Sequence, residues 1–359
     1  VYIPVQSIHL SAESLTLGKA APYARLTAQT TPAKPTNAAL TWSSTNENVV
    51  RVDSEGRILA LRSGTADVVV TSADGASATC PVTVENGLAT AFTTADAYVY
   101  DGAGTTNYGT NATLIVRNDG TGYRRGTYAR FPLAALDSVQ TTGSDARVKL
   151  VFHVTYGAEK VSEVQWNVFS VAAQWNENTV TWSNGPSYAT PALAAVPCFV
   201  PKTDWTDNYV AFDVTSYALA QHAAGATGLS VYIYQNARAT GGKGTSQFAS
   251  RENGSIILSP RLVVEGEELP VGIHTATAHA DAHADAHADA DADVHAFWQG
   301  DVLTLTAATS AHAVLYDMYG HALQSWQIPA AGTHTCTFAA MPKDIYLLRV
   351  GNRTLKLVK

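Results

Sequence analysis

Residues 107–131 read NYGTNATLIVRNDGTGYRRGTYARF. This pattern predicts a loop, a strand, a tight glycine-rich turn and a second strand, because side chains on either side of the turn alternate with a period of two. One face of the second strand is then apolar, and the other carries an aromatic ring and a guanidinium. The first face holds Thr127, Ala129 and Phe131, and the second holds Tyr128 and Arg130.

The same stretch concentrates positive charge. Four basic residues (Arg117, Arg124, Arg125 and Arg130) lie within it against one acidic residue, Asp119. A planar guanidinium can hold a carboxylate through two hydrogen bonds, and a tyrosine ring can cover the apolar patch of a sugar. A rigid sheet with both groups suits the binding of an acidic sugar better than it suits bond-breaking chemistry.

The composition of the whole chain indicates several β-rich domains. Its 359 residues are too many for one ordinary domain, so two or three are expected. Charged residues make up 15% and hydrophobic residues 46%, a profile typical of extracellular β-sandwich modules. The formal net charge of −7 argues against a nucleic-acid partner.

The cysteines predict no cross-linked framework. Cys80, Cys198 and Cys336 lie far apart and fit neither a disulfide pattern nor a metal-binding spacing. Cys80 and Cys336 lie in apolar strand patterns, so buried free thiols are expected there. No apolar run approaches the ~18 residues of a membrane span. A chain that begins at Val1 is what we expect of a trimmed or mature form.

Residues 1–86 form the first predicted domain. Short strand patterns and frequent turns indicate a small antiparallel sandwich with Trp42 in its core. The segment TWSSTNENVVRVDSEGRILALRSGTADVVVTSADG, from Thr41 to Gly75, resembles the bacterial Ig-like domain of group 2. This resemblance implies an Ig-like spacer or adhesion module on a bacterial surface protein.

Residues 91–266 form the second and largest predicted domain. About ten alternating strands, with no convincing helix beyond a turn near Tyr217–His222, indicate a jelly-roll sandwich. The domain resembles the DNRLRE-domain family, which includes family 96 of the carbohydrate-binding modules and is associated there with alginate. The motifs that carry this resemblance are ADAYVYDGAGTTNYGTNATLIVRN, GYRRGTYARFPL, WNENTVTWSNGP, VAFDVTSY, FASRENG and PRLVV.

Residues 267–295 form a predicted linker. From Ala278 to Asp289 the chain repeats His-Ala-Asp-Ala, a low-complexity sequence that cannot bury a core. A solvated, expandable segment is the favoured interpretation. The alternative is metal capture, because His279, His283 and His287 would align on one face of a transient helix.

Residues 296–359 form the last predicted domain, a small β-sandwich. The stretch Leu315–Gly320, the stretch Ile345–Leu347 and the terminal Leu357–Lys359 resemble the C-terminal sorting domain of the type IX secretion system in Bacteroidetes. This resemblance implies contact with an outer-membrane export machinery.

The sequence contains no recognisable catalytic motif. HExxH, GxSxG and phosphate-cradling glycine loops are missing from it. The sequence contains carboxylates that could form a glycosidase pair, but only a structure can show whether two of them lie at the required distance. We therefore predict a binding protein and not an enzyme.

Ten side chains are predicted to form the binding surface. Because one exposed ion pair contributes only about 0.2–1 kcal/mol, several must converge, and weak sites would depend on avidity between modules. The alternative is that some of these arginines pair with Asp119, Glu252 or Glu265 and tie strands together. WNENTVTW is interpreted as a packed hairpin edge, with Trp166, Trp175 and Trp182 in the core. The ten are Tyr108, Arg117, Tyr123, Arg124, Arg125, Tyr128, Arg130, Arg238, Lys243 and Arg251.

This interpretation requires no cofactor, but a structural Ca²⁺ ion is considered. Hard cations take oxygen ligands from loops. The candidate ligands, at predicted loops and strand ends, are Asp96, Asp101, Asn107 and Asp213.

The sequence as a whole predicts a secreted or cell-surface, all-β protein at the extracellular face of a Bacteroidetes-type outer membrane. We expect a monomer whose middle domain binds an acidic, alginate-like polysaccharide. Two alternatives stay open. One is a structural or adhesion surface protein, and the other is the C-terminal ancillary part of a polysaccharide lyase whose catalytic domain precedes Val1.

Overall fold

The computed structural model describes residues 1–139, 146–171 and 174–266, and most of residues 294–358 as strands with short gaps between them. The predicted linker up to residue 293 lies outside the described residues, as do Met318–Gly320 and Lys359 of the predicted export domain. The chain divides into two compact units, Val1–Glu268 and Leu269–Lys359. Among the described residues, no helix combines the length and the apolar character that a membrane span requires.

The described residues are almost entirely β-structure, as predicted. One α-helix, α1 (Thr215–Ala223), occupies the predicted turn near Tyr217–His222. Short 3-10 helices span Asp101–Ala103, Ala134–Ser138, Val161–Glu163, Trp205–Asn208 and Thr240–Gly242. The strands are β1 (Ser7–Leu10), β2 (Leu15–Leu17), β3 (Tyr23–Arg25), β4 (Ala28–Thr31), β5 (Leu40–Ser44), β6 (Val50–Val52), β7 (Arg57–Ala60), β8 (Arg62–Ser72), β9 (Ser77–Phe92), β10 (Ala95–Tyr100), β11 (Thr113–Val116), β12 (Arg125–Pro132), β13 (Arg147–Gly157), β14 (Gln165–Val171), β15 (Ala194–Pro197), β16 (Tyr209–Asp213), β17 (Gly228–Gln235), β18 (Ser246–Ala249), β19 (Arg261–Glu265), β20 (Val294–Gln299), β21 (Val302–Ala307), β22 (Ala311–Tyr316), β23 (Ala322–Ile328), β24 (Gly332–Thr337), β25 (Ile345–Val350) and β26 (Arg353–Val358).

The first domain is a small sandwich. Strands β3, β7 and β6 form one sheet, and β5, β8 and β9 form the other, with β2 beside β9. Their inward side chains, among them Val50, Ile58 and Val68, are fully buried in one core. Trp42 packs against this core and Cys80 is buried in it, as the apolar strand patterns predict.

Strand β9 carries the chain from the first domain into the second. Its first half pairs with β8, and its last five residues, Leu88–Phe92, pair with β19. The second sheet of the first domain therefore continues into the second domain as one nine-stranded sheet. A small apolar cluster, in which Leu59 and Leu61 contact Ile257, packs the two domains together.

The second domain is a β-sandwich of two antiparallel sheets. One sheet has the order β10-β12-β17-β14-β15. The other contains β11, β18, β13 and β19, with β16 beside β13. Trp166 and a set of mutually packed phenylalanines fill the space between the sheets, which confirms the core position predicted for Trp166.

The two strands of residues 107–131 belong to different sheets. Strand β11 pairs with β18, whereas β12 pairs with β10 and β17. A single bridge between Arg117 and Arg125 joins them across the turn. The turn thus crosses from one sheet of the sandwich to the other. Alternation defines the faces of a strand but not its partner, because pairing depends on long-range contacts.

The second compact unit is a smaller sandwich, as predicted. Strands β20, β21 and β24 form one sheet, and β23, β22, β25 and β26 form the other. Leu303 and Leu305 of the first sheet share a core with Leu315 and Leu348 of the second. Cys336 lies half-buried at the edge of this core, so the expected full burial of its thiol is wrong.

Candidate functional site

The outer face of the five-stranded sheet is the surface on which the sequence places Tyr128 and Arg130. Both side chains do point away from the sandwich core, which takes Ala129 and Phe131. Tyr128 is nevertheless only 5% exposed, because residues 174–190, here termed the covering segment, fold over the sheet. The predicted open face is therefore wrong. The segment contributes Trp175, Val180 and Trp182 to an apolar cluster on this face. The other members of the cluster are Ala97, Val99, Tyr128, Phe169, Val171, Tyr232 and Tyr234.

The covering segment forms no strand within its described residues, so the predicted hairpin edge is also wrong. Trp175 and Trp182 pack on the outer face and are half-buried, instead of lying in the sandwich core. The segment is held by Asn107, whose Nδ2 donates to the carbonyls of Glu177 at 2.7 Å and Val180 at 2.8 Å. A side chain at Gly109 would meet the Glu177 carbonyl at 2.2 Å, so this close approach requires glycine.

A depression of about 290 Å³ opens between the sheet and the covering segment. Pockets for small ligands usually range from about 300 to 1,000 Å³, so this one lies at the small end. Both surfaces supply aromatic rings. The sheet side carries Val99, Arg124, Tyr128, Tyr232 and Tyr234, and the covering segment contributes Trp182, Pro186, Ser187 and Tyr188.

Arg124 is the charged group of this depression. Its Nε donates to Oδ2 of Asp101 at 2.7 Å, and its guanidinium lies 5.2 Å from the centre of the Trp182 ring. The side chain is 37% exposed, and its two terminal nitrogens donate to no residue that the structure describes. The guanidinium is thus fixed by one nitrogen while the other two stay available to a ligand.

Asp101 keeps this arrangement charged. Burial works to raise the pKa of its carboxyl, but hydrogen bonds from the Arg124 side chain and from the backbone of Gly122 and Arg124 bring the pKa below its usual value. The carboxylate is therefore ionised at neutral pH and orients Arg124. Both of its oxygens already accept hydrogen bonds from Gly122 and Arg124 in the turn.

The tyrosines of the depression form a row of nearly parallel rings. Tyr188 stacks on Tyr232 with ring centres 5.2 Å apart, and Tyr232 is followed by Tyr234 at 5.9 Å. Burial raises the pKa of Tyr234 to about 12, so its hydroxyl stays neutral and can donate a hydrogen bond. Tyr188 is 42% exposed and offers a ring to the solvent. Such rings suit the apolar faces of sugars.

The predicted residues of the turn lie beside Arg124. Arg117 pairs with the buried Asp119, so the alternative of an internal pair holds for it. Its guanidinium lies 5.5 Å from the ring of Tyr123, which is exposed. Arg125 stacks 3.7 Å above the ring of Tyr100.

Two other predicted residues are used to pack the domain. Tyr108 stacks on Tyr98 with ring centres 4.2 Å apart. Arg130 lies 4.9 Å from the ring of Trp175 and donates a hydrogen bond to the carbonyl of that residue. Both residues therefore hold neighbouring segments in place.

The remaining predicted cations do not reach the depression. Lys243 pairs with Glu159 at 2.6 Å, and Arg238 is exposed in the loop after β17. Arg251 pairs with Glu177 at 2.8 Å and with Glu252 at 3.3 Å, which is the internal pairing considered from the sequence. Of the ten predicted residues, the structure places Arg124 and Tyr128 at the depression.

The other ring-bearing residues of the depression were not predicted as ligands. Tyr232 and Tyr234 alternate with the core residue Ile233 in β17, and this period of two could have placed them on the outer face. Trp182 and Tyr188 lie in an irregular segment, where no periodic signal reports the direction of a side chain.

The structure does not bring the four predicted metal ligands together. Asp101 holds Arg124, and Asn107 holds the covering segment. Asp213 accepts hydrogen bonds from the backbone and hydroxyl of Thr215 at the start of α1. Asp96 instead lies with Glu177 and Glu252, and one oxygen of each carboxylate is within 4.8 Å of the others.

Comparisons with known proteins identify the domains. Residues 88–266 match carbohydrate-binding module family 96, and residues 4–84 match the bacterial Ig-like domain (group 2). The search of curated proteins gives no match.

Similarity to solved structures is weak. The CBM51-2 and INT domains of ZmpB from Clostridium perfringens are 8% identical, cover 98% of this chain and 100% of their own, and give a TM-score of 0.18. The apo β-glucuronidase 3 of Bacteroides uniformis is 10% identical, with 75% of this chain and 34% of that one covered and a TM-score of 0.22. Values this low carry no argument. The family matches show that this chain carries a bacterial Ig-like domain of group 2 followed by a carbohydrate-binding module of family 96.

Proposed function

We propose that the module binds an acidic, uronate-containing polysaccharide such as alginate in the depression beneath the covering segment. The observation that carries this proposal is Arg124, a half-exposed guanidinium whose terminal nitrogens donate to no described residue. Asp101 and Trp182 hold the side chain in place, so little conformational entropy is lost when a ligand binds. A uronate carboxylate is the planar acceptor that this fork fits.

The aromatic rings supply the rest of the recognition. A pyranose ring presents an apolar face that stacks on tyrosine or tryptophan while the ring hydroxyls stay hydrogen-bonded. Trp182 and Tyr188 of the covering segment and Tyr234 of β17 line the depression around Arg124. One sugar unit can therefore place its face on a ring and its carboxylate on the guanidinium.

We also propose that the depression binds without catalysing a reaction. Among the described residues that line it, none carries a carboxyl group. Glycoside hydrolysis usually needs two carboxyl groups on either side of the scissile bond. The nearby Asp101 is already bound to Arg124, so it is a poor general acid or base.

The position of the Ig-like domain favours binding over a purely structural role. That domain joins the module through β9 and the sheet that contains β19. The described residues that line the depression all lie between Val99 and Tyr234, within the module. The aromatic surface therefore does not serve as the contact between the two domains.

Display outside the cell is the second part of the proposal. An Ig-like domain joined to a carbohydrate-binding module suits a protein that meets polysaccharide outside the cell. Residues 296–359 would contact the export machinery. A reporter fused to residues 296–359 should reach the surface of a Bacteroidetes host and should be retained when the secretion system is deleted. Equal retention in both strains would contradict an export role.

The binding site is tested by replacing Arg124→Gln, with Arg238→Gln as the matched control because Arg238 is an exposed arginine outside the depression. Titration with oligomannuronate and oligoguluronate should show about a tenfold loss or more for the first variant, since hydrogen bonds to charged groups contribute about 1.5–3 kcal/mol. The control should bind like the unaltered protein.

Neutral cello-oligosaccharide serves as the comparison ligand. The unaltered protein should bind it more weakly than the uronates. Equal affinity for neutral and acidic chains, together with an unchanged isotherm for Arg124→Gln, would contradict the acidic preference.

A further inference from the structure

Three distant segments meet at one edge of the module. Asp96 lies in β10, Glu177 lies in the covering segment, and Glu252 follows β18. The backbone N–H of Asp96 donates to Oε1 of Glu177 at 2.7 Å. One oxygen of each carboxylate lies within 4.8 Å of the other two, which is the spacing of ligands around a single cation.

The charge of this cluster is not balanced. Arg251 is the cation that pairs with it, through Glu177 at 2.8 Å and Glu252 at 3.3 Å. Three carboxylates and one guanidinium leave a net charge of −2 when all are ionised. The site thus favours any partner that brings two positive charges.

A second observation is independent of this clustering. Asp96 is only 1% exposed, and its Oδ2 accepts a hydrogen bond from the backbone N–H of Arg251 at 3.0 Å. Its Oδ1 is buried and accepts no hydrogen bond from a described residue, and the same is true of Oε2 of Glu252. Buried carboxylate oxygens without a donor are strongly unfavourable, and coordination to a cation would satisfy both of them.

We propose that Asp96, Glu177 and Glu252 bind one Ca²⁺ ion, which fastens the covering segment to β10 and to the segment after β18. All three ligands are carboxylates, and no histidine or cysteine joins the described cluster. Oxygen-only sites select hard cations, and Ca²⁺ accepts irregular geometry and mixed carboxylate binding more readily than Mg²⁺ does.

Ca²⁺ should also affect glycan binding in the depression, an inference that rests on the proposed function. The covering segment carries both Glu177 and the ring of Trp182 that lies against Arg124. Because Glu177 is a ligand, Ca²⁺ would order the wall of the depression. Glycan binding should then weaken when the ion is removed.

The site is tested by calorimetric titration of the full-length, chelator-treated protein with Ca²⁺, and separately with Mg²⁺. One saturable Ca²⁺ site, absent or much weaker with Mg²⁺, is expected, together with a rise of several degrees in Tm. Asp96→Asn and Glu252→Gln should abolish the site. Glu159→Gln is the matched control, because Glu159 is an exposed acid outside the cluster, and it should retain full Ca²⁺ binding.

A shared proton between two carboxyls is the competing explanation of the unbalanced charge. It predicts that Asp96→Asn stabilises the protein equally with and without Ca²⁺, and that the unaltered protein shows no saturable Ca²⁺ heat. Either result would overturn the proposal. Because the unaltered protein is measured directly, a variant that fails to fold leaves this test intact.

Glycan affinity is measured last, with short oligouronates that do not gel, in Ca²⁺ and in chelator. A loss of affinity in chelator supports the link between ion and depression. Unchanged affinity, with the Ca²⁺ heat present, overturns that link alone. An absent Ca²⁺ heat overturns the metal site whatever the glycan titration shows, so the two proposals fail separately.

Discussion

Arg124 and Arg261 are two arginines that lie beside aromatic rings in opposite parts of the module. Arg124 lies at the rim of the depression, with 37% of its side chain exposed. Arg261 lies at the boundary with the Ig-like domain and is 1% exposed. Its guanidinium is 4.6 Å from the ring of Tyr209 and 5.3 Å from that of Tyr23.

The two guanidiniums differ in how their hydrogen bonds are used. The terminal nitrogens of Arg261 donate to the carbonyls of Ile257 and Ser259 and to the hydroxyl of Tyr23 in the first domain. Those of Arg124 donate to no described residue. The same residue type therefore joins two domains where its donors are satisfied internally, and it can bind a ligand where they are not. Residue identity alone does not distinguish these roles.

Replacing Arg261→Met should produce the largest effect. The change leaves two carbonyls and the Tyr23 hydroxyl without their donor in a buried place, so we expect a loss of about 4 kcal/mol in the free energy of unfolding. Urea unfolding followed by fluorescence measures it. Oligouronate affinity of the folded fraction should stay the same.

Tyr23→Phe is the control for this prediction, because it removes only the hydroxyl. It should cost about 1.5–3 kcal/mol, because the lost hydrogen bond is to a charged group. An Arg261→Met protein as stable as the unaltered one would contradict the view that Arg261 joins the domains.

Acid should weaken the same boundary through His153. This residue of β13 is buried against the ring of Tyr209, and burial, together with the charges of Arg261 and Arg57, lowers its pKa to about 4. The unfolded chain, with a histidine pKa near ~6.5, then binds the proton more strongly than the folded protein does. Stability is therefore lost as the pH falls from about 6.5 to about 4, by about 3 kcal/mol in total.

The measurement compares His153→Phe with the unaltered protein across this range, since other carboxyl groups titrate in both. The difference in unfolding free energy between the two should shift in favour of the variant as the pH falls. A constant difference would contradict a buried neutral His153.

The smallest expected effect is that of salt, which should weaken the glycan binding by Arg124 but not the contribution of Arg261 to stability. Exposed charges are screened beyond about 8 Å at physiological ionic strength, whereas buried groups are screened much less. Oligouronate affinity, which depends on Arg124, should fall a few-fold between low and physiological salt. The contribution of Arg261 to stability, measured as the difference from Arg261→Met, should not change. Salt-independent glycan binding would argue against a charge-led site.

The sequence could predict much of the fold and part of the site. Alternation in residues 125–132 placed Tyr128 and Arg130 on the outer face, and the order of the motifs indicated both family assignments. The alternation in β17 carried the same information for Tyr232 and Tyr234. Only the covering segment decided that Tyr128 would be nearly buried, and its irregular backbone has no period to interpret.

The tertiary structure alone decided which distant residues meet. Asp96 is 81 residues from Glu177, and it accepts a hydrogen bond from Arg251 across 155 residues. A periodic pattern is a property of neighbouring residues, so it assigns each side chain to a face. Convergence of carboxylates, like the choice of a strand's partner, arises from packing between segments that the local pattern does not relate. For this reason the sequence by itself determined the sandwich folds and the family, whereas the depression around Arg124 and the carboxylate cluster appeared only in the folded chain.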